Sequence, residues 1–260
     1  MREIDAEIYP AAARLFAGIR HNIPVVYSVL EGNSPGRVFV DDAAAPRLGL
    51  IYPQDAYVYL AGDPRSPALD GLPALLFDEI LPAMAEKELV LFAFSDNLFA
   101  ALEGLLRPKE MKRIWRKTFR FMPERFASLP DWRERVPEGF ALRPVDDELA
   151  AREPAYRPLV DPRTRQFGVC LLHGEVIASE CTAVYVGGGQ AEVDILTREL
   201  YRGRGLAAIT AGAFVEECQR RGLIPNWSCW PERLASAALA HKLGFEAQPD
   251  IPALLWYEGM

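Results

Sequence analysis

The chain has 260 residues, half of them hydrophobic and a quarter charged, which is typical of a soluble globular protein with one large or two small domains. Its 36 acidic and 29 basic side chains give a net charge of −7, which argues against a protein that binds nucleic acid through bulk positive charge. The longest uninterrupted apolar run, Leu89–Phe94, is far shorter than the roughly 20 residues that span a bilayer.

The N-terminus and the cysteines favour a cytoplasmic protein without metal. The first seven residues are acidic and lack the basic start and apolar core of a signal peptide, so neither secretion nor a membrane partner is expected. No Cys-x-x-Cys pair occurs, and the chain has only three histidines, so neither a metal site nor a disulfide framework is expected. The four cysteines are therefore interpreted as small core residues: Cys170, Cys181, Cys218 and Cys229.

The first part of the chain predicts mixed α and β structure. Strands are predicted at Ile23–Leu30, Arg37–Val40, Ala56–Leu60 and Glu88–Phe94. Helical spacing extends over Leu69–Ala85, and Ser95 is a candidate N-cap for a helix that ends near Leu106. A proline-rich stretch over residues 123–144 then suggests a boundary near residue 130, which gives two domains, 1–130 and 131–260.

The second part predicts a three-strand meander followed by an alternation of helices and strands. The predicted elements are strands Gln166–Leu172, Val176–Val186 and Ala191–Thr197, a helix from Leu206 to Arg221, a strand Asn226–Trp230, a helix Leu234–Leu243 and a strand Ala253–Tyr257.

The segment between the third strand and the long helix carries the strongest chemical signal. It reads Tyr-Arg-Gly-Arg-Gly-Leu-Ala over residues 201–207. Its glycines allow several backbone amides to point toward one place, and the helix N-terminus adds about half a positive charge. With the side chains of Arg202 and Arg204, the loop predicts a cradle for a pyrophosphate. The spacing matches neither a nucleotide P-loop nor a dinucleotide-binding Gly-x-Gly-x-x-Gly fingerprint.

The pattern Arg-x-x-Gly-x-Ala over residues 202–207 resembles the acetyl-CoA signature of the GNAT N-acetyltransferase superfamily. The preceding strand, the following helix, the strand Asn226–Trp230 and the closing Lys-Leu-Gly-Phe at residues 242–245 occur in the family's order. The resemblance covers roughly residues 138–260. Within this range, the sequence is similar to a bacterial subfamily that includes zwittermicin-resistance-type acetyltransferases. Members of that subfamily carry a preceding α/β region.

The resemblance implies an α/β (α+β) fold with a mixed, mostly antiparallel and splayed sheet flanked by helices. The first 130 residues would form a second α/β region, which we interpret as a degenerate copy of the same fold. The cofactor would be acetyl-CoA, with its pyrophosphate on the amides of residues 203–207 and its pantetheine arm along the third strand of the meander. The residues implied in donor binding are Ile195, Leu196, Thr197, Arg202, Gly203, Arg204, Gly205, Leu206 and Ala207.

Transfer of acetyl to an amine requires a base for the ammonium and an acid for the leaving thiolate. Strand alternation places Glu192 and Asp194 on one face, so either is a candidate base, although both could instead bond the neighbouring strand or face solvent. Glu180 is a third candidate. Many members of the family carry a tyrosine that acts as the general acid. Ala240 occupies that position here, which leaves Ser236, His241 or water as the acid.

The expected function is transfer of acetyl from acetyl-CoA to an amine of a small molecule or amino-acid-like metabolite, by a chain that could form a homodimer. Arg233 occupies a place where many relatives carry asparagine, and together with Ala240 it keeps a non-catalytic acyl-CoA-binding or sensing module as the alternative. A weaker third interpretation, in which Arg202 and Arg204 contact nucleic acid, is opposed by the acidic net charge.

Overall fold

The computed structural model describes residues 1–260 and consists of two compact units. Unit 1 comprises residues 1–116 and 251–260, and unit 2 comprises residues 117–250. Each unit has its own hydrophobic core.

Strands and helices alternate along the chain. The strands are β1 (Arg2–Ile4), β2 (Arg37–Val40), β3 (Leu48–Tyr52), β4 (Tyr57–Gly62), β5 (Glu88–Ala93), β6 (Lys112–Phe121), β7 (Phe140–Pro144), β8 (Phe167–His173), β9 (Val176–Gly187), β10 (Gln190–Thr197), β11 (Ile224–Cys229), β12 (Phe245–Ala247) and β13 (Ile251–Tyr257). The α-helices are α1 (Tyr9–Ala13), α2 (Ile23–Leu30), α3 (Leu72–Ala74), α4 (Leu81–Ala83), α5 (Asp96–Leu106), α6 (Pro123–Ala127), α7 (Asp147–Arg152), α8 (Arg157–Val160), α9 (Leu206–Arg220) and α10 (Leu234–Lys242).

The division into units differs from the boundary predicted near residue 130. The first five residues of the ten-residue strand β6 pair with β13 in unit 1, and its last residues pair with β11 and β12 in unit 2. The chain thus leaves unit 1 and enters unit 2 within a single strand. The amino-acid composition does not change there, so it gives no sign of a domain boundary. The proline-rich stretch over residues 123–144 lies wholly within unit 2.

Both units have the same strand order and the same strand directions. In unit 1 the order is β1-β2-β3-β4-β5-β13-β6, and in unit 2 it is β7-β8-β9-β10-β11-β6-β12. Every neighbouring pair is antiparallel except the fourth and fifth strands of each unit, β4 with β5 and β10 with β11, which are parallel. The strand order expected of a second copy is therefore present in unit 1.

One predicted strand is a helix. Residues 23–30 form α2, which begins after Asn22 and carries Pro24 in its first turn, where the missing N–H costs no hydrogen bond. Most of this segment is buried, so its apolar residues show no period that separates a strand from a helix. The predicted cap of α5 is confirmed, because the Ser95 hydroxyl accepts a hydrogen bond from the amide of Leu98.

The core of unit 2 lies between its sheet and helix α9. This helix is buried along most of its length, and Phe214 stacks on Phe167 with ring centres 5.1 Å apart. On its outer side Gly212 lies against Trp132, where a Cβ atom would come within 3.1 Å of the indole. All four cysteines are buried with free thiols, as predicted.

Gly244, in the turn after α10, is expected to tolerate no side chain. Its φ is +84°, and a Cβ atom there would lie 2.8 Å from the backbone nitrogen of Phe126. Left-handed strain and this clash together predict that Gly244→Ala lowers the free energy of unfolding by about 2–4 kcal/mol. Gly222→Ala is the matched control, because Gly222 has a φ of +69° with open space around it.

Urea unfolding of the two variants separates the contributions. Gly222→Ala is expected to cost only the strain of the left-handed backbone, about 1 kcal/mol. Equal losses for the two variants would show that the contact between Gly244 and Phe126 does not constrain the turn.

Candidate active site

The sheet of unit 2 opens between β10 and β11. The two strands pair only from Gln190 with Ile224 to Glu192 with Asn226. Beyond this point β11 pairs only with β6, which lies on its other side. The edge of β10 from Val193 to Thr197 consequently has no strand beside it on this side, while its other edge stays paired with β9. An extended ligand could add to this edge as a further strand.

The loop that follows β10 presents a group of unpaired amides. Gly203 and Gly205 have φ values of +76° and +78°, which non-glycine residues rarely adopt. The backbone N–H groups of residues 203–207 have no acceptor within the protein, and they lie at the N-terminus of the 15-residue helix α9. Free amides at the positive end of a helix dipole form a binding site for an anion such as a phosphate group.

The open edge and the glycine loop line one cavity of about 400 Å³. The residues expected to bind the donor line it, except Arg204: Ile195, Leu196, Thr197, Arg202, Gly203, Gly205, Leu206 and Ala207. The guanidinium of Arg204 instead lies over the ring of Tyr201, 5.5 Å from its centre. Arg202 donates from Nε to the carbonyl oxygen of Thr197 at 3.1 Å, so it holds the loop against the end of β10.

The opposite wall of the cavity comes largely from the start of α10. Arg233, Ala235, Ser236 and Leu239 line it, together with Tyr201 of the loop. Sequence patterns point to Ser236 and Arg233 but not to Ala235 and Leu239. Their four-residue spacing, which places both on one face of a helix, is the signal that could have found them.

Glu192 lies at the last paired position before the strands separate. Its side chain is only 8% exposed. One carboxylate oxygen accepts a hydrogen bond from the amide of Asn226, and the other accepts one from the Ser228 hydroxyl at 2.8 Å. Both donors come from β11, so Glu192 bonds the neighbouring strand, which was one of the alternatives from the sequence. This bonding fixes the carboxylate at the point where the two strands separate.

Asp194 and Glu180 occupy neighbouring strands. Val193 and Ile195 face the core, so the two carboxylates lie on the other side of β10, as alternation predicts. On that side Glu192 is buried, whereas Asp194 is exposed. Partial desolvation by the surrounding protein still raises the pKa of the Asp194 carboxyl group. Burial also raises the pKa of Glu180, which accepts a hydrogen bond from the Tyr156 hydroxyl and lies near the charge of Asp194.

The raised pKa of Glu180 predicts a pH dependence of stability. A carboxyl group whose pKa is higher in the folded protein binds more protons when folded, so the free energy of unfolding falls as pH rises above the ordinary carboxyl range. Glu180→Gln is expected to make this fall shallower at pH values above the ordinary range of a glutamate carboxyl, as measured by urea unfolding at several pH values. An unchanged slope would contradict the expectation.

Ser236 is held by a buried tryptophan. Trp227, only 2% exposed, packs against Phe245 and donates from Nε1 to the Ser236 hydroxyl oxygen at 3.1 Å. Because that oxygen accepts from the indole, its own proton is free to point elsewhere. Trp227 is thus a core residue, and His241 is exposed on α10 outside the cavity lining.

Unit 1 has no equivalent opening. Its parallel strands β4 and β5 stay paired from Tyr57 with Val90 to Leu60 with Ala93, and the amide of Phe94 continues the ladder to the carbonyl of Leu60. No arginine- and glycine-rich loop follows β4. The combination of open edge and free amides is therefore found in unit 2.

No helix in either unit combines the length and the apolar character that crossing a membrane requires.

Comparisons with known proteins agree with this architecture. The model of the GNAT acetyltransferase family matches residues 13–254. The uncharacterized N-acetyltransferase YdfB of Bacillus subtilis (strain 168) is 29% identical over 243 residues, which cover 90% of each chain.

Solved structures show the same fold. The GCN5-related N-acetyltransferase-like protein from Streptococcus suis 89/1591 matches with a TM-score of 0.70 and 24% identity, over 96% of this chain and 99% of that one. A tandem GNAT protein from the clavulanic acid biosynthesis pathway matches with a TM-score of 0.63 and 15% identity, over 98% and 94%. Because the family match extends over nearly the whole chain, the protein belongs to the GNAT acetyltransferase family and is an acyltransferase.

Proposed function

We propose that the protein transfers an acetyl group from acetyl-CoA to the amine of a small molecule or amino-acid-like metabolite, and that unit 2 carries the reaction. One observation carries the proposal: the free amides of residues 203–207 and the unpaired edge of β10 line the same cavity. One part suits a diphosphate, and the other suits an amide-containing arm that pairs with a strand.

The residues of the cavity fit the donor. The amides of residues 203–207 would hold the pyrophosphate, and the edge from Val193 to Thr197 would pair with the pantetheine arm. Arg202 and Arg233 add positive charge at the cavity, and neither forms an ion pair with an acidic side chain. When bound, acetyl-CoA supplies an acetyl group activated as a thioester.

Glu192 is the proposed base. An amine attacks a carbonyl only as the neutral form, so a proton must leave the ammonium before or during formation of the new C–N bond. The carboxylate of Glu192 lies where β10 and β11 separate and is fixed by Asn226 and Ser228. It would accept that proton directly or through one water molecule while the C–S bond breaks.

Ser236 is the proposed partner of the leaving sulfur. Its hydroxyl lines the cavity, and the indole of Trp227 occupies one lone pair of its oxygen. The hydroxyl can then donate a hydrogen bond to the negative charge that develops on the leaving sulfur. This role would replace the general-acid tyrosine of many family members, whose position is occupied here by Ala240.

The acidic side chains near the opening suit a cationic acceptor. Glu192 and Asp194 lie on the same side of β10, beside the place where β10 and β11 separate, and carboxylates there attract an ammonium group. This charge distribution favours amines over alcohols or thiols as acceptors.

Two measurements test the proposal. Titration calorimetry with acetyl-CoA is expected to show binding, and a panel of small amines and amino acids is expected to contain at least one that releases free thiol from acetyl-CoA. Absence of heat at millimolar acetyl-CoA would contradict the proposal. Binding without thiol release for any amine would support the alternative, a non-catalytic acyl-CoA-binding module.

A further inference from the structure

Two strongly exposed leucines adjoin the cavity of about 400 Å³ that is lined by the glycine loop and the edge of β10, here called the donor cavity. Leu200 is 86% exposed and directly precedes Tyr201, which lines the donor cavity. Leu234, which is 72% exposed, lies between two lining residues at the start of α10, on the opposite wall. Exposed apolar side chains on both walls of one opening are typical of a surface that contacts another protein.

The segments that carry these leucines are positively charged although the chain is acidic. Residues 198–204 and 232–235, which we call the cavity rim, contain four arginines and two glutamates, whereas the whole chain has a net charge of −7. Arg198 pairs with Glu153 at 3.4 Å. The other three arginines are exposed and form no ion pair with an acidic side chain: Arg202, Arg204 and Arg233. The cavity rim therefore complements a protein surface that is acidic and partly apolar.

The cavity rim lies where the phosphate end of a bound donor leaves the donor cavity. The edge of β10 from Val193 to Thr197 suits an extended, amide-containing arm, and the free amides of residues 203–207 suit a phosphate. Because Thr197 leads into the loop, the thioester end of such an arm points toward Glu192 and its phosphate end lies at the cavity rim. The group attached to this phosphate consequently meets the exposed leucines and arginines.

We propose that the cavity rim is a docking surface for an acyl carrier protein, an acidic protein that presents its acyl group on a 4′-phosphopantetheine arm attached to a serine. This inference rests on the proposed function and adds a second acyl donor to it. The carrier's arm is identical to that of coenzyme A from the thioester to the first phosphate. A nucleotide on this phosphate chiefly offers charge to the arginines, whereas a folded carrier also covers Leu200 and Leu234 with an apolar surface.

Transfer from the carrier has the same balance of atoms as transfer from coenzyme A. The ammonium of the acceptor loses one proton to Glu192, and its nitrogen then forms the new C–N bond as the C–S bond breaks. The nitrogen loses a second proton and the sulfur gains one. The products are the amide, the carrier with a free thiol, and one proton released to solvent.

Titration calorimetry tests the docking surface with two ligands that carry the same arm: free 4′-phosphopantetheine and a holo acyl carrier protein of bacterial fatty acid synthesis. The unsubstituted protein is expected to bind the holo-carrier at least about tenfold more tightly than the free arm. Leu200→Ser and Leu234→Ser are each expected to weaken holo-carrier binding about tenfold, because each removes a leucine that docking buries, and to change coenzyme A binding less than about twofold.

Ile224→Ser is the matched control. Ile224 is 54% exposed, but it pairs with Gln190 at the opposite end of β10 from Thr197 and does not line the donor cavity. This variant should bind the holo-carrier and coenzyme A as the unsubstituted protein does. Thermal unfolding at an unchanged temperature would show that each variant is folded. With the best amine of the panel, Leu234→Ser should lower kcat/KM for the acetylated carrier but not for acetyl-CoA.

The outcomes distinguish the two proposals. Holo-carrier binding no tighter than that of free 4′-phosphopantetheine would overturn the docking surface while leaving the donor cavity in place. Equal losses of holo-carrier and coenzyme A binding in Leu200→Ser and Leu234→Ser would make these leucines part of the donor cavity and also overturn it. Failure of coenzyme A and acetyl-CoA to bind at all would contradict the proposed function itself.

Discussion

Replacing Glu192 by glutamine is expected to lower the rate of acetyl transfer about 10²–10⁴-fold, which is the usual contribution of a positioned general base. Glutamine has the same shape, its carbonyl can still accept from Asn226, and the Ser228 hydroxyl can turn to accept from the new amide group. The fold should therefore remain intact while the proton acceptor is lost. Turnover is measured with the best amine of the panel at saturating acetyl-CoA.

Asp194→Asn is the matched control for this prediction. Asp194 lies on the same strand and the same side of the sheet but is exposed and is not held by side chains of β11. Its replacement is expected to cost less than about tenfold in turnover. Both variants should bind acetyl-CoA with nearly unchanged affinity. A larger loss for Asp194→Asn than for Glu192→Gln would transfer the role of base to Asp194.

Gly203→Asp is expected to weaken acetyl-CoA binding about a hundredfold, because like charges placed together cost several kcal/mol. A Cβ atom at Gly203 meets nothing within 4 Å, so a side chain fits without displacing a neighbour. The new carboxylate would lie among the free amides of residues 203–207 and occupy the place proposed for the pyrophosphate.

Gly203→Asn separates charge from shape. Asparagine and aspartate are nearly the same size, and both adopt positive φ more readily than other side chains. The asparagine variant should lose less than about tenfold in affinity, since it brings no negative charge. Calorimetry on the two variants, with thermal unfolding as a check of the fold, makes the comparison. Equal affinities for the two would show that no anion is held by this loop.

The local elements of unit 2 could be predicted well because short-range patterns specify them. The three strands of the meander, the helix after the glycine loop and the helix before Gly244 all lie within a few residues of their predicted positions. In each case an alternating or helical apolar period is bounded by glycine or a turn, so the local signal and the tertiary fold agree. The anion-binding character of the loop likewise follows from its own residues.

The environments of the candidate residues could not be predicted from sequence because they depend on contacts between distant elements. Alternation places Glu192 and Asp194 on one side of β10, but only the separation of β10 from β11 buries the first and exposes the second. Arg204 resembles Arg202 in the loop sequence, yet it lies over Tyr201 and away from the cavity lining. Arg135 meets Gly205 although about seventy residues separate them.

The glycine loop, its place between a strand and a helix, and the carboxylates on the strand before it could all be predicted from local residues, because each depends on a few adjacent positions. In contrast, long-range packing makes residues 23–30 a helix, adds β13 to unit 1, and lets β6 pass from unit 1 to unit 2. These outcomes depend on which distant strand or core each segment meets, and the free energy of such contacts outweighs local propensity.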